Sequence, residues 1–216
     1  MRIPIHRDGW RFIAIFSALN AGLFLLWSPL GWAFAPFTIW CVAFFRDPER
    51  VTPLAPGLVI SPADGKLLPV SLAVPPQELG MGSAPRTRLS IFMDVLNVHV
   101  NRAPVQGQVV ALKYRSGRFF NASFDKASEH NERMAIRLRV DGKGDESDLA
   151  VIQIAGLIAR RIKCDLAEGQ RVGRGERFGI IRFGSRLDVY LPPGAQVQAE
   201  VGKRVKAGET VLARLQ

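Results

Sequence analysis

No charged side chain occurs between Phe12 and Phe45, and Ser28-Pro29 divides that stretch into two apolar runs, Phe12 to Trp27 and Leu30 to Phe45, each of 16 residues. The pattern predicts two helices joined by a tight turn, each just short of the roughly 17–25 residues of a spanning helix. Two arrangements would satisfy the backbone: a hairpin crossing a thin bilayer, or a re-entrant anchor within one leaflet. Arg2, Arg7 and Arg11 precede the pair and Arg46 and Arg50 follow it, so the positive-inside bias places both flanks, and all that follows, on the cytoplasmic face of the cell membrane. Trp27, Trp32 and Trp40 are candidates for the interface, and His6 reads as a solvated residue on the basic approach. Two plainer readings compete. Ala33-Phe34-Ala35 is similar to a signal-peptidase site, although cutting there leaves another apolar run, Phe37 to Phe45. A helical hairpin buried in a soluble core has the same composition.

Beyond Phe45 the texture changes. Arg46-Asp47-Pro48-Glu49-Arg50 and Pro53 to Gly57 form a charged, proline-rich exit, which sets the expected boundary between an anchoring hairpin of residues 1–50 and a domain of residues 51–216. Strand-like runs follow at Leu58 to Ile60, Leu67 to Val74, Arg88 to Met93, Val109 to Tyr114, Met134 to Val140, Leu149 to Ile162 and Leu187 to Leu191. Asp64-Gly65, Asp141-Gly142 and Pro193-Gly194 read as turns between them. The expected fold is a mainly β (α+β) domain preceded by an N-terminal apolar helical hairpin. Pro75 to Pro85, rich in Gly and Pro and without apolar period, is expected to be a mobile loop, either a lid or a connector.

Composition narrows the partners. With 216 residues and 48% hydrophobic content the chain is folded, and a net charge of +10 favours an anionic partner: nucleic acid, an acidic lipid surface or a phosphorylated small molecule. The two cysteines, Cys41 and Cys164, lie far apart in sequence and supply neither a disulfide framework nor a CxxC metal clip, so no metal is expected.

Candidate chemistry is sparse. The three histidines are His6, His99 and His130. His99 lies in Asn97-Val98-His99-Val100-Asn101-Arg102, where alternation puts it on one face with Asn97 and Asn101 and opposite Val98 and Val100. Asp64 lies in Ser61-Pro62-Ala63-Asp64-Gly65-Lys66, where turn chemistry alone explains an Asp before Gly. Ser185 follows Gly184 at the start of an apolar run, a pairing that is ordinary in isolation.

Taken together and in order, these segments resemble the phosphatidylserine decarboxylase family, in its short bacterial form with an N-terminal apolar segment. The resemblance runs through Phe45 to Arg50, the Pro-Ala-Asp-Gly turn, Asn97 to Arg102, Phe120-Asn121-Ala122-Ser123-Phe124-Asp125-Lys126-Ala127, Asn131-Glu132-Arg133 and the block Arg182 to Pro192. It implies a proenzyme that cuts itself between Gly184 and Ser185 into a β chain of residues 1–184 and an α chain of residues 185–216, a heterodimer with possible higher homo-oligomers. It also implies a cofactor, a covalent pyruvoyl group derived from Ser185, that forms a Schiff base with phosphatidylserine and releases CO2 to give phosphatidylethanolamine. By the same resemblance His99 is the base for self-cleavage and Asp64 orients it. Glycine suits the cut, since it has no Cβ to block attack on its carbonyl. One departure is Leu96, where longer relatives carry a second histidine linked to decarboxylation. That role passes to another group, with His130 and Asn97 as candidates, or is dispensable.

Three other readings remain at this level. Gly194 to Val197, Val201 to Val205 and Ala207 to Val211 are similar to the small β modules of biotinyl and lipoyl carriers and of membrane-anchored adaptors, though no modifiable lysine at a hairpin tip stands out. A pyruvoyl decarboxylase for another seryl lipid is the nearest alternative. A nucleic-acid partner is disfavoured, because no binding motif or aromatic platform accompanies the charge.

Overall fold

The two uncharged runs form α1 (Trp10–Leu26) and α2 (Ser28–Phe44), 17 residues each. Trp27 between them is extended, at φ −163° and ψ 114°, and Pro29 falls in the first turn of α2, where its missing N–H breaks no helical bond. At 1.5 Å per residue each helix is about 26 Å long. The helices lie close because Gly31 has no side chain: a Cβ there would fall 2.3 Å from Phe24 Cγ. Phe16 stacks on Phe34 at 5.7 Å between ring centroids. No residue of α1 is buried. The pair is apolar all round, the signature of a helix outside water rather than of an amphipathic surface helix. Taken with the 3-10 turn before it, Arg7–Leu26 is long and apolar enough to cross a membrane.

The computed structural model describes residues 4–117, 131–142, 144, 147–156, 161–182 and 185–216. Contacts divide the chain into two units. The first comprises Met1–Glu49 with Leu96–Val98; the second comprises Arg50–Val95 and His99–Gln216. Within the first, Arg46 donates to the carbonyls of Ala43 and Leu96. His6 differs from its expected place in solvent. It is buried, its Nδ1 caps the turn by accepting from the Asp8 N–H at 3.3 Å, and its own N–H donates to the Phe45 carbonyl at 2.9 Å.

The second unit is built from strands. In chain order these are β1 (Leu58–Ile60), β2 (Gly65–Leu67), β3 (Ser71–Ala73), β4 (Arg86–Met93), β5 (Val100–Arg102), β6 (Gly107–Arg115), β7 (Arg133–Val140), β8 (Leu149–Ala155), β9 (Ile162–Cys164), β10 (Arg171–Val172), β11 (Arg177–Ile181), β12 (Ser185–Tyr190), β13 (Gln196–Val197), β14 (Arg204–Val205) and β15 (Val211–Arg214). Among the described residues one large antiparallel sheet has the order β10-β6-β7-β8-β12-β4-β2-β14, with β3 also on β4. Two three-stranded sheets, β5-β11-β9 and β1-β15-β13, complete the unit. At 21% helix and 37% strand the chain is α+β, dominated by sheet, as the sequence predicts.

Alternation sorts the large sheet's side chains onto two faces. Leu89, Ile91 and Met93 of β4, Ile136 and Leu138 of β7, Leu149 and Val151 of β8, and Leu187 and Val189 of β12 meet in the main core. Ala135, Ala150, Ile152, Ile154 and Tyr190 form a second cluster on the opposite face, together with Leu79 and Met81. The last two come from the segment Pro75 to Pro85, which is pinned rather than loose. A short 3-10 turn at Gln77–Leu79 buries Leu79, Arg137 donates to the carbonyls of Leu79 and Gly80, and Arg133 Nε donates to Glu78 Oε1 at 3.0 Å.

That last pair generates a pH-dependent prediction. Burial opposes ionisation of Glu78, but hydrogen bonds from its backbone and from Arg133, with the charges of Arg133 and Arg115, outweigh it and hold the carboxyl below its usual 4.5. A carboxyl lowered in the folded state contributes stability present above that value and lost as pH falls through the folded pKa. Glu78→Gln should therefore lower the unfolding free energy by roughly 0.2–1 kcal/mol at neutral pH. The gap between variant and parent should close as pH drops below 4.5, which denaturant titrations at the two pH values would check.

Candidate active site

Ser185 opens β12, where it lies directly between Met93 of β4 and Ala155 of β8. Every residue of β12 is buried. Ser185 shares the main-core face with Leu187 and Val189, so a hydroxyl stands where the pattern otherwise demands aliphatic side chains. Its Oγ is fully buried and, among the described residues, has no hydrogen-bond partner. A buried polar atom left unbonded is rare enough to need a reason, and a reacting hydroxyl is one. Gly184, the other half of the expected cleavage site, lies outside the described residues, as do His130 and the segment Phe120 to Ala127.

His99 reaches the same neighbourhood from the small sheet. It precedes β5, is fully buried, and its carbonyl accepts from the Ile181 N–H at 3.4 Å. The chain passes between the small and large sheets twice here, once from Met93 at the end of β4 to His99 and once from Ile181 at the end of β11 to Ser185. The two passages are paired at both ends, Met93 with Ser185 and His99 with Ile181. These pairings tie the segment that carries His99 to the one that carries Ser185, 86 positions later in the sequence. Asn101, expected on the same face as His99, is fully buried in β5. Asn101 Nδ2 lies 3.9 Å from Met93 Sδ, and its Oδ1 accepts from Gln153 Nε2 at 2.8 Å.

Asp64 sits on a turn fixed to both strands. The Arg102 N–H of β5 donates to the Pro62 carbonyl at 2.9 Å, and a Cβ on Gly65 would fall 2.2 Å from the Phe92 carbonyl oxygen of β4. Gly65 is thus required by close approach as the first residue of β2, not by a left-handed turn. The hydrogen bonds the structure gives Asp64 go to Arg50 Nη2 at 2.8 Å and to the Ala207 N–H at 2.7 Å, rather than to His99. Arg50, read from sequence only as a membrane flank, is the cation that holds this carboxylate.

Several further polar residues surround Ser185. Asn131 Nδ2 donates to the Ala155 carbonyl at 2.7 Å, and the Ala155 N–H donates to the Glu132 carbonyl at 2.9 Å, so the Asn131-Glu132 pair flanks the residue opposite Ser185. On the reverse face of β12, Arg186 and Asp188 form a two-pronged ion pair, Nε to Oδ1 at 2.8 Å and Nη2 to Oδ2 at 2.9 Å, both 1% exposed. Gln153 was legible in principle, as the one polar residue of the run Leu149 to Ala155. Leu96, at the position of the absent histidine, is largely exposed.

A histidine and a serine both lie fully buried here, and the serine hydroxyl has no hydrogen-bond partner among the described residues. Residues 37–213 match the family described as phosphatidylserine decarboxylase. A protein of Paramagnetospirillum magneticum is 56% identical over 98% of this chain and 87% of its own length. Others from Cereibacter sphaeroides and Ruegeria pomeroyi are 55% and 54% identical over 98% and 99% of this chain, and over 90% and 96% of theirs. All three bear the name phosphatidylserine decarboxylase proenzyme. With motifs, fold and near-complete alignment in accord, the chain belongs to the phosphatidylserine decarboxylase family.

Proposed function

We propose that this chain is a membrane-bound phosphatidylserine decarboxylase, made as a proenzyme that cuts itself before Ser185 to convert that serine into a pyruvoyl group. The observation that carries the reading is the buried Ser185 hydroxyl at the head of β12, without a hydrogen-bond partner among the described residues, on a segment tied through Ile181 to the buried His99.

The cut needs no outside reagent but water. His99 takes the hydroxyl proton, Ser185 Oγ forms a bond to the carbonyl carbon of Gly184, and the Gly184–Ser185 C–N bond breaks to leave an ester. Loss of the Ser185 Cα proton then expels the Gly184 carboxylate and leaves a dehydroalanine. Its amine is exchanged for water and departs as ammonia. Asp64 takes the orienting position, and its turn, tied to Arg102 and packed on Phe92, supports that assignment by setting it beside the strands that carry His99 and Met93. The Arg50 ion pair holds the carboxylate in place. The dry, orphaned position of residue 185 fits a covalent group there. What a pyruvoyl group supplies is an electron-accepting carbonyl for an amine whose α-carboxylate leaves as CO2.

The lipid substrate explains the anchor. With α1 and α2 in the bilayer and the β unit on the cytoplasmic face, the site meets phosphatidylserine at headgroup height. Lysine and arginine near the anionic surface add on the order of 1 kcal/mol each to adsorption.

Intact mass of purified protein should show two chains, the smaller of residues 185–216 with a blocked, ketone-reactive N-terminus; a single uncut chain in active material overturns the mechanism. Ser185→Ala should leave the chain whole and inactive. His99→Ala should slow the appearance of the small chain by about 10²–10⁴-fold, the usual loss on removing a positioned base. Processing of that variant at the parental rate would mean that another group takes the proton. The full chain should sediment with membranes and require detergent for release, and its recovery from the soluble fraction without detergent would count against the anchor.

A further inference from the structure

Gln153 and Asn101 are both completely buried, and both are primary amides that the hydrophobic pattern does not call for. Gln153 interrupts the apolar run of β8, and Asn101 interrupts the interior side of β5. Burial of such groups is unfavourable unless their hydrogen bonds are made, and an aliphatic pair would fill the space without that demand. Their bond to each other, 2.8 Å from Gln153 Nε2 to Asn101 Oδ1, satisfies only part of it. Gln153 Oε1 is buried and has no hydrogen-bond partner among the described residues.

The placement of that oxygen is specific. Gln153 lies directly across from Leu187, and Ala155 directly across from Ser185, so on the shared face Gln153 is the diagonal neighbour of Ser185. Diagonal neighbours on an antiparallel pair are within reach of a long side chain. Two buried oxygens on that face thus lack a hydrogen-bond partner among the described residues, one an obligate acceptor and one carrying a proton. Asn101 connects them to the remaining elements. It holds the Gln153 amide from one side, approaches Met93, the other cross-strand neighbour of Ser185, and lies two residues after His99 in the chain.

We propose that the Asn101–Gln153 amide pair positions the Ser185 hydroxyl for self-cleavage, with Gln153 Oε1 steering the hydroxyl and Asn101 fixing both Gln153 and the strand that carries His99. The inference rests on Ser185 being the self-cleavage nucleophile. These are positioning residues: neither bonds to the carbonyl under attack.

The test compares variants of the full chain in detergent. Gln153→Met keeps the side-chain length and removes its polar atoms, whereas Gln153→Glu keeps an acceptor oxygen in place. The rate at which the small chain appears is followed by mass, and thermal midpoints are measured with Ser185→Ala added, so that every chain is compared uncut. Gln153→Met is expected to slow cleavage at least ten-fold with a midpoint within a few degrees of the parent, and Gln153→Glu to recover most of the rate. Asn101→Leu should slow cleavage as well, and combining it with Gln153→Met should add little. Cleavage of Gln153→Met at the parental rate overturns the inference, as does a loss that Gln153→Glu fails to recover or one matched by a collapse of the midpoint. If the unsubstituted chain itself never cleaves, the self-cleavage reading fails, a result distinct from all of these.

Discussion

The pairing of β12 on both of its edges is the constraint from which the site follows. Each of its six residues faces one residue of β4 and one of β8, and all six are buried. Backbone bonds on two sides thus hold Ser185 in place while its own side chain has no hydrogen-bond partner among the described residues. In a strand the side chains alternate, so a slip of one residue would exchange the faces completely. Ser185 would leave the main core, and Arg186 and Asp188 would enter it. Misplaced charges of that kind cost several kcal/mol per ion, whereas in the observed register the two charges pair with each other.

Strand pairing in the small sheet does comparable work for the histidine. The His99 carbonyl is tied to Ile181, four residues before Ser185, so the segments that carry this histidine and serine are anchored at matching ends. Close backbone approach at Gly65 draws the Asp64 turn against β4. None of the three residues depends on the others for its location. Each is set by main-chain geometry that would persist if its side chain were changed.

Much of this was legible from pattern. An uncharged run broken by Ser-Pro can do little but form a helical hairpin, and Met134 to Val140 alternates cleanly because one of its faces is core. Where the pattern misled, local physics explains the difference. The expected strand Leu67 to Val74 is divided between β2 and β3 around Pro69, which has no N–H to pair. The strands β10, β13 and β14 are two residues long, too short for any period to show. His6 was misread because its capping bond depends on a neighbour's backbone, and Arg50 because its partner lies 14 residues away across a proline-rich bend. Asp64, His99 and Ser185 were selected by family resemblance; the positions of their segments depend on pairing between distant strands, which no local window contains.

The last 32 residues have a peculiar distribution in the sheets. The segment from Ser185 to Gln216 supplies β12 to the middle of the large sheet, β14 to its edge, and β13 and β15 to a different sheet altogether. It has no core of its own and is a fold only as the complement of the rest. A break just before Ser185 would therefore make a split protein whose smaller piece is woven through the larger, held without any covalent tie and releasable only by global unfolding. Cutting the backbone there changes connectivity while leaving the architecture with nowhere else to go, so the chemistry at that bond can be irreversible without being destructive.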